Sequence, residues 1–365
     1  MRASWRSRVA LPLVVFVLLL LGGELAVRAL LPHHASRDFF LTLFGDPPDV
    51  TPKTEQPLFE GDPARFWRLR ANVDHAIWDF TVVSTNAQGL RHPTDIGPKP
   101  PNVFRIVCVG DSVTFGYRIP LVFPDTPDKY DPTDAAYPGR LERLLRNEYP
   151  GREVEVIALA VPGYSSHQGR LLLEESIEGL APDLVVICFG FNDVTLKHFP
   201  DKVLMSPAWV DTTLRRVMSS SQALLQTWRW WNGRPREQAP LPEPEPRVSR
   251  ADYGANITAM VELARAHGAG VLVVGAVYRD RTTNPPEARR MMVYRASLLD
   301  LMRLENVPYT QIDELTEAHR EDNASLFGEL IHPNSDGHQL MAERILAALR
   351  AHDLLKTLAD RDVAL

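Results

Sequence analysis

Arg105-Ile106-Val107-Cys108-Val109-Gly110-Asp111-Ser112-Val113-Thr114-Phe115-Gly116 is the stretch that decides the fold. Ile106 to Val109 is a short, unbroken apolar run, the signature of a strand buried on both faces of a parallel sheet. Gly110 ends the run, and Asp111 and Ser112 stand where the chain turns into a helix. Open α/β sheets place their ligands at the carboxyl ends of the strands. The Ser112 hydroxyl is therefore expected at that edge, where the N–H groups of a helix start face any oxyanion. Alone, Gly-Asp-Ser is also an ordinary turn, so the rest of the chain must carry the argument.

Working outward, strand and helix patterns alternate. Val154 to Leu159 reads as a second strand, ending at the glycine-bearing loop Ala160 to Ser166. Asp183 to Phe189 reads as a third, ending at Gly190-Phe191-Asn192-Asp193. Gly270 to Gly275 is a fourth and Pro308 to Ile312 a fifth. Helical patterns cover Arg140–Asn147, Gln168–Glu178, Asp252–His267, Ala288–Glu305 and Ser335–Arg350, the last capped by Asn334 or Ser335. Such repeats predict a parallel sheet covered on both faces and joined by right-handed crossovers. An insertion at about 197–250 interrupts them. Its middle, Leu214 to Trp231, is compatible with a cap helix. The tryptophans there (Trp228, Trp230, Trp231) suit packing on the domain, a substrate cleft or a membrane interface. Its end, Gln238 to Pro246, is rich in Pro and Glu and expected to be extended.

Before the sheet lie two other kinds of segment. Val9 to Gly23 is apolar for 15 residues, short of the ~20 that span a bilayer. It extends to Leu31 if Glu24 and Arg28 pair at the far interface. Arg2, Arg6 and Arg8 ahead of it keep the N-terminus cytoplasmic. Val27-Arg28-Ala29 is a poor cleavage site, so residues 1–32 are expected to be an uncleaved transmembrane anchor rather than a signal peptide, with the rest extracytoplasmic (periplasmic in a Gram-negative cell). Residues 33–65 read as a Pro-rich tether. Alternation around Trp67, Leu69, Trp78 and Val83 then predicts a small β addition, closed by a turn at Asn86 to Arg91, where a turn and a surface ion pair are favoured over Asn86 and Arg91 facing a site. The expected division is 1–32 anchor, 33–100 tether and β addition, and 101–355 main domain.

A net charge of −6 gives no electrostatic case for a nucleic-acid partner. The two cysteines, Cys108 and Cys188, lie in predicted strands and read as core residues, with a disulfide between neighbouring strands as the alternative. No zinc-type spacing is present. Asp336 and His338 are read as a helix cap and a surface histidine rather than metal ligands, and His167 and His198 as surface residues.

Chemistry-bearing residues fall at the strand ends and just before the last helix. Ser112 is the candidate nucleophile, and His332 the base a serine requires. Glu329, three residues earlier, is placed to fix the imidazole tautomer and offset its charge. Gly163, by an N–H that no Cβ obstructs, and Asn192, by its amide, are candidate donors to an oxyanion. The absence of Gly-x-Ser-x-Gly argues against an ordinary α/β-hydrolase.

Gly110-Asp111-Ser112, Gly163, Gly190-Phe191-Asn192-Asp193 and His332 resemble, in order, the four blocks for which the SGNH (GDSL) hydrolases are named. The resemblance spans about residues 104–350. It implies a three-layer α/β/α flavodoxin-like domain and ester or acyl-transfer chemistry without cofactor or metal. It also implies an oxyanion hole of Ser112 N–H, Gly163 N–H and the Asn192 side chain. Two positions depart from the family. Glu329 stands where the pattern has Asp, so it either completes a triad or leaves a Ser–His dyad. Ala158 replaces an expected Asn, read as a lost structural hydrogen bond. The expected function is an extracytoplasmic serine esterase acting on an acyl ester, O-acetyl on envelope polysaccharide in the first instance. A lipid esterase and a non-catalytic binding protein that keeps the fold are the alternatives.

Overall fold

The structure is a computed structural model that describes residues 5–30, 58–62, 64–121, 134–205, 221–224, 226–227, 243–279, 286–315, 323–329 and 331–359. They fall into two compact units. The smaller gathers residues 1–46, 59–67 and 205–241. It contains α1 (Trp5–Leu30), whose Val14 to Leu21 side chains are exposed. Strands β1 (Phe59–Asp62) and β2 (Phe66–Leu69) pair as a ribbon, so part of the expected tether is ordered. Asp62 closes that ribbon by accepting from the N–H groups of Ala64 (2.9 Å) and Arg65 (2.7 Å). On α1, Arg28 pairs with Glu24 at 2.7 Å, the i,i+4 contact expected from the sequence. Among the described residues no helix is long and apolar enough to cross a membrane, so the expected anchor is not shown. The three tryptophans of the insertion lie outside the described residues.

The larger unit holds the sheet. It begins with an antiparallel hairpin of β3 (Ala76–Trp78) and β4 (Thr81–Val83), the expected β addition. The chain then runs through β5 (Val103–Gly110), α2 (Ser112–Phe115), α3 (Tyr137–Glu148), β6 (Glu153–Ala160), α4 (Ser166–Leu180) and β7 (Leu184–Cys188). It continues through β8 (Leu196–Lys197), α5 (Asp201–Leu204), β9 (Glu245–Pro246), α6 (Arg250–Ala266), β10 (Gly270–Val274), α7 (Pro286–Leu304), β11 (Tyr309–Thr310) and α8 (Ser335–Ala351). Five strands form one parallel sheet in the order β11-β10-β7-β5-β6. This is the flavodoxin-like order, whose switch point lies between β5 and β7.

Period-2 alternation sorts each strand between two layers. Phe104, Ile106 and Cys108 of β5 join Val154, Val156, Leu184 and Val186 in one core. Tyr137, Leu141 and Leu145 of α3 and Met341, Ile345 and Leu349 of α8 cover it. The helices α4, α6 and α7 cover the opposite face. Cys108 and Cys188 are free and buried, and burial pushes the Cys108 thiol up to about 12.

Register does the work of convergence. Gly110 lies opposite both Ala160 and Cys188, so three strands end in one row. The loops that leave this row carry Ser112, Gly163 and Asn192.

Candidate active site

Ser112 is the first residue of α2. Asp111 caps this helix, its carboxylate accepting from Val113 N–H at 2.9 Å. The turn is tight: a Cβ on Gly110 would lie 2.0 Å from Thr114 Oγ1, so only glycine fits there. Ser112 N–H sits in the first turn of the helix, where N–H groups have no intrahelical acceptor.

His332 arrives from the far end of the chain. A short hairpin presents it: Gly328 N–H donates to His332 O (3.0 Å) and Asn334 N–H to Leu326 O (2.9 Å). Asn334, whose side chain accepts from Gly337 N–H at 3.0 Å, is the cap of α8. His332 Nε2 lies 2.7 Å from Ser112 Oγ. Its Nδ1 contacts Glu329 Oε1, which also accepts from His332 N–H at 3.0 Å. The glutamate that departs from the family pattern therefore reaches the imidazole, in the arrangement of a serine–histidine–carboxylate triad. The Tyr117 ring lies against the imidazole, centroids 4.1 Å apart. Beside it Arg118 pairs with Asp79 at 2.9 Å.

Asn192 meets the loop that carries Gly163 at Tyr164. Asn192 Nδ2 donates to Tyr164 O at 3.0 Å and makes a longer, 3.3 Å contact with Asp111 Oδ2. The two contacts fix the amide between the loop after Gly163 and the residue before Ser112. Gly163 has φ +82, a left-handed conformation that favours glycine. Burial raises the Asp111 carboxyl to about 6, against the opposing pull of Val113 N–H, His332 and Asn192.

Some residues behave otherwise than expected. Arg91 is a carbonyl clamp: its Nη1 donates to Phe115 O and Gly116 O (2.9 Å each) and its Nη2 to Ile119 O (2.5 Å) and Val82 O (3.2 Å), bracing the segment after Ser112. His338 is fully buried rather than on the surface, with Nδ1 accepting from Tyr137 N–H at 3.2 Å. His198 is exposed as expected, and His167 is half-buried. Among the described residues no group of His, Cys, Asp and Glu is arranged to hold a metal ion.

A second set of residues escaped the sequence reading. Asp193 accepts from Ser166 N–H (3.0 Å) and from its hydroxyl, fixing the start of α4 directly after the Gly163 loop. Burial raises Asp193 to about 7. Asp201 and Arg247 form a buried ion pair beside the same loop (2.9 Å). A Gly-x-Asn-Asp run hinted at Asp193. Nothing local marked Asp201 and Arg247, because they meet across 46 positions of chain.

Ser112, His332 and Asn192 thus gather at the switch point of a flavodoxin-like sheet, as the SGNH resemblance implies. The chain belongs to the GDSL-like lipase/acylhydrolase family, which matches residues 108–340. It is 29% identical over 102 residues to an arylesterase of Vibrio mimicus, a match covering 28% of this chain and 44% of that protein. The match thus spans less than half the length of that curated relative. Among solved structures, an acetylxylan esterase from Geobacillus stearothermophilus is similar at 17% identity, with 70% of this chain and 95% of that chain covered and a TM-score of 0.45. A GDSL-like lipase from Bacteroides thetaiotaomicron aligns at 16% identity over 68% of this chain and 88% of that one, with a TM-score of 0.40.

Proposed function

We propose that this protein is a serine esterase in which Ser112, His332 and Glu329 form the triad and Ser112 N–H, Gly163 N–H and Asn192 Nδ2 the oxyanion hole. The observation that carries the reading is the 2.7 Å contact of Ser112 Oγ with His332 Nε2. Ser112 Oγ attacks the ester carbonyl as its proton passes to Nε2, and the imidazolium is balanced by Glu329. The carbonyl oxygen, now an oxyanion, is held by the three donors. Collapse expels the alcohol, which takes the proton from Nε2 and leaves an acyl group on Ser112. Water, or an acceptor hydroxyl, then repeats the sequence in reverse and frees the serine.

For the substrate we favour a short acyl ester on a polar carrier, O-acetyl on envelope polysaccharide. Supporting this, the wall beside His332 is Tyr117 and the Arg118–Asp79 pair, which suits hydroxyl-rich sugars better than a long acyl chain. We further propose a membrane-anchored, extracytoplasmic setting. It is supported by the arginines that precede the apolar N-terminal run and by the exposed Val14–Leu21 face of α1.

The test is turnover of p-nitrophenyl acetate by the full chain and by Ser112→Ala, with labelling by a fluorophosphonate. Turnover and labelling that vanish in Ser112→Ala support the esterase. Equal inactivity of both proteins on short and long acyl esters favours a binding protein. Preference for lysophospholipid over acetylated glycan moves the substrate to lipid.

A further inference from the structure

We infer that Arg247 and Asp201, at the two ends of the insertion, are positioning residues that hold the oxyanion loop in its working geometry. The inference rests on the esterase reading and names what supports one half of that site.

The chain leaves the sheet through β8 and returns through β9, paired by Leu196 opposite Pro246. Asp201 and Arg247 follow on the two limbs, 3% and 9% exposed. They form a bidentate pair: Arg247 Nε donates to Asp201 Oδ1 (3.1 Å) and Nη2 to Oδ2 (2.9 Å). Both then grip residues 163–168. Arg247 Nη1 donates to Gly163 O (2.9 Å) and Nη2 to Gln168 Oε1 (2.7 Å), which itself accepts from Ser165 N–H (3.1 Å). Asp201 Oδ2 accepts from the Ser165 hydroxyl (2.6 Å).

Gly163 has no side chain to restrain its two soft backbone torsions. With its carbonyl on Arg247 and the next carbonyl, Tyr164 O, on Asn192 Nδ2, the loop is pinned at consecutive residues. The second pin is itself an oxyanion donor. Releasing the first lets Gly163 N–H and the Asn192 amide drift together. Because an oxyanion hole acts by preorganisation, a shift of about 1 Å costs up to ~10²-fold in rate with little effect on ground-state binding.

The experiment compares the full chain with Arg247→Met, Arg247→Lys, Asp201→Asn and Ser165→Ala on p-nitrophenyl acetate, with Tm measured for each. Glu155→Gln serves as control, since it breaks the ion pair of buried Arg105 (2.6 Å) away from the loop. The expected result is a kcat lower by 10- to 100-fold in Arg247→Met with KM within about twofold. Arg247→Lys and Ser165→Ala should lose less. Glu155→Gln should lower Tm at unchanged kcat. If Arg247→Met does not fold, the same kcat-without-KM loss in Ser165→Ala and Asp201→Asn supports the inference. A folded Arg247→Met with wild-type kcat overturns it, as does a loss that tracks Tm equally in Glu155→Gln. An active wild type with dead Ser112→Ala shows that the esterase reading stands whichever way the Arg247 variants fall. A wild type no more active than Ser112→Ala removes both.

Discussion

The two sides of the site are held by different physics. The Ser112–His332 side is a hydrogen bond between groups on a tight helix start and a short hairpin, backed by an apolar core and the neutral, buried His338. The Gly163–Asn192 side is held by buried polar groups: Asp193, hydrogen-bonded to the start of α4, and the Arg247–Asp201 ion pair on the loop itself. Both contacts join distant parts of the chain, but the first is a hydrogen bond set against an apolar core and the second rests on a buried ion pair. On the esterase reading the first supplies the reacting atoms and the second the oxyanion donors, so damage to each should read out differently.

The largest effect belongs to the reacting side. Ser112→Ala or His332→Ala should lower kcat on p-nitrophenyl acetate by several orders of magnitude, about 10⁴ or more, in steady-state assays. Next comes the geometric side: Asn192→Ala removes one oxyanion donor and should cost ~10²–10³ in kcat with KM little changed. Glu329→Gln should fall at or below that, about 10²-fold; an unchanged kcat would mean that His332 and Ser112 act as a dyad.

The smallest and most discriminating test is pH, because the two supports should answer with opposite sign. Burial, with the nearby Arg140 charge, lowers His338 to about 3, below its ordinary ~6.5. Between those values the unfolded chain binds the extra proton, so this group makes stability rise with pH. Asp193, raised to about 7 by burial, keeps its proton in the folded state above its ordinary ~3.9. It makes stability fall as pH rises through that window. Each slope is at most ~1.4 kcal/mol per pH unit. Urea midpoints from pH 4 to 7 should show a shallower rise with pH in His338→Gln and a steeper one in Asp193→Asn. Parallel curves for both variants would break the distinction between the two sides.

Much of the reacting side was legible beforehand. Ile106–Val109 read as a two-faced strand because both layers demand apolar side chains at every position, and five strands and five helices followed from the same periodicities. Ser112, Gly163, Asn192 and His332 could be singled out because each stands at a strand end or before a helix, in residue types that only chemistry or a turn requires. His338 was misread as a surface residue, since local polarity says nothing about which core folds over a side chain.

What the amino-acid order determined by itself was the set of elements, the sheet class and the chemistry-bearing residues, because these depend on neighbours within a few positions. What only the tertiary structure decided was the strand register that levels Gly110 with Ala160 and Cys188, the approach of His332 to Ser112, and the Arg247–Asp201 grip on Gly163. These depend on which distant groups share one low-dielectric pocket. Such a pocket exists only once the whole chain has closed around it, so no local pattern encodes it.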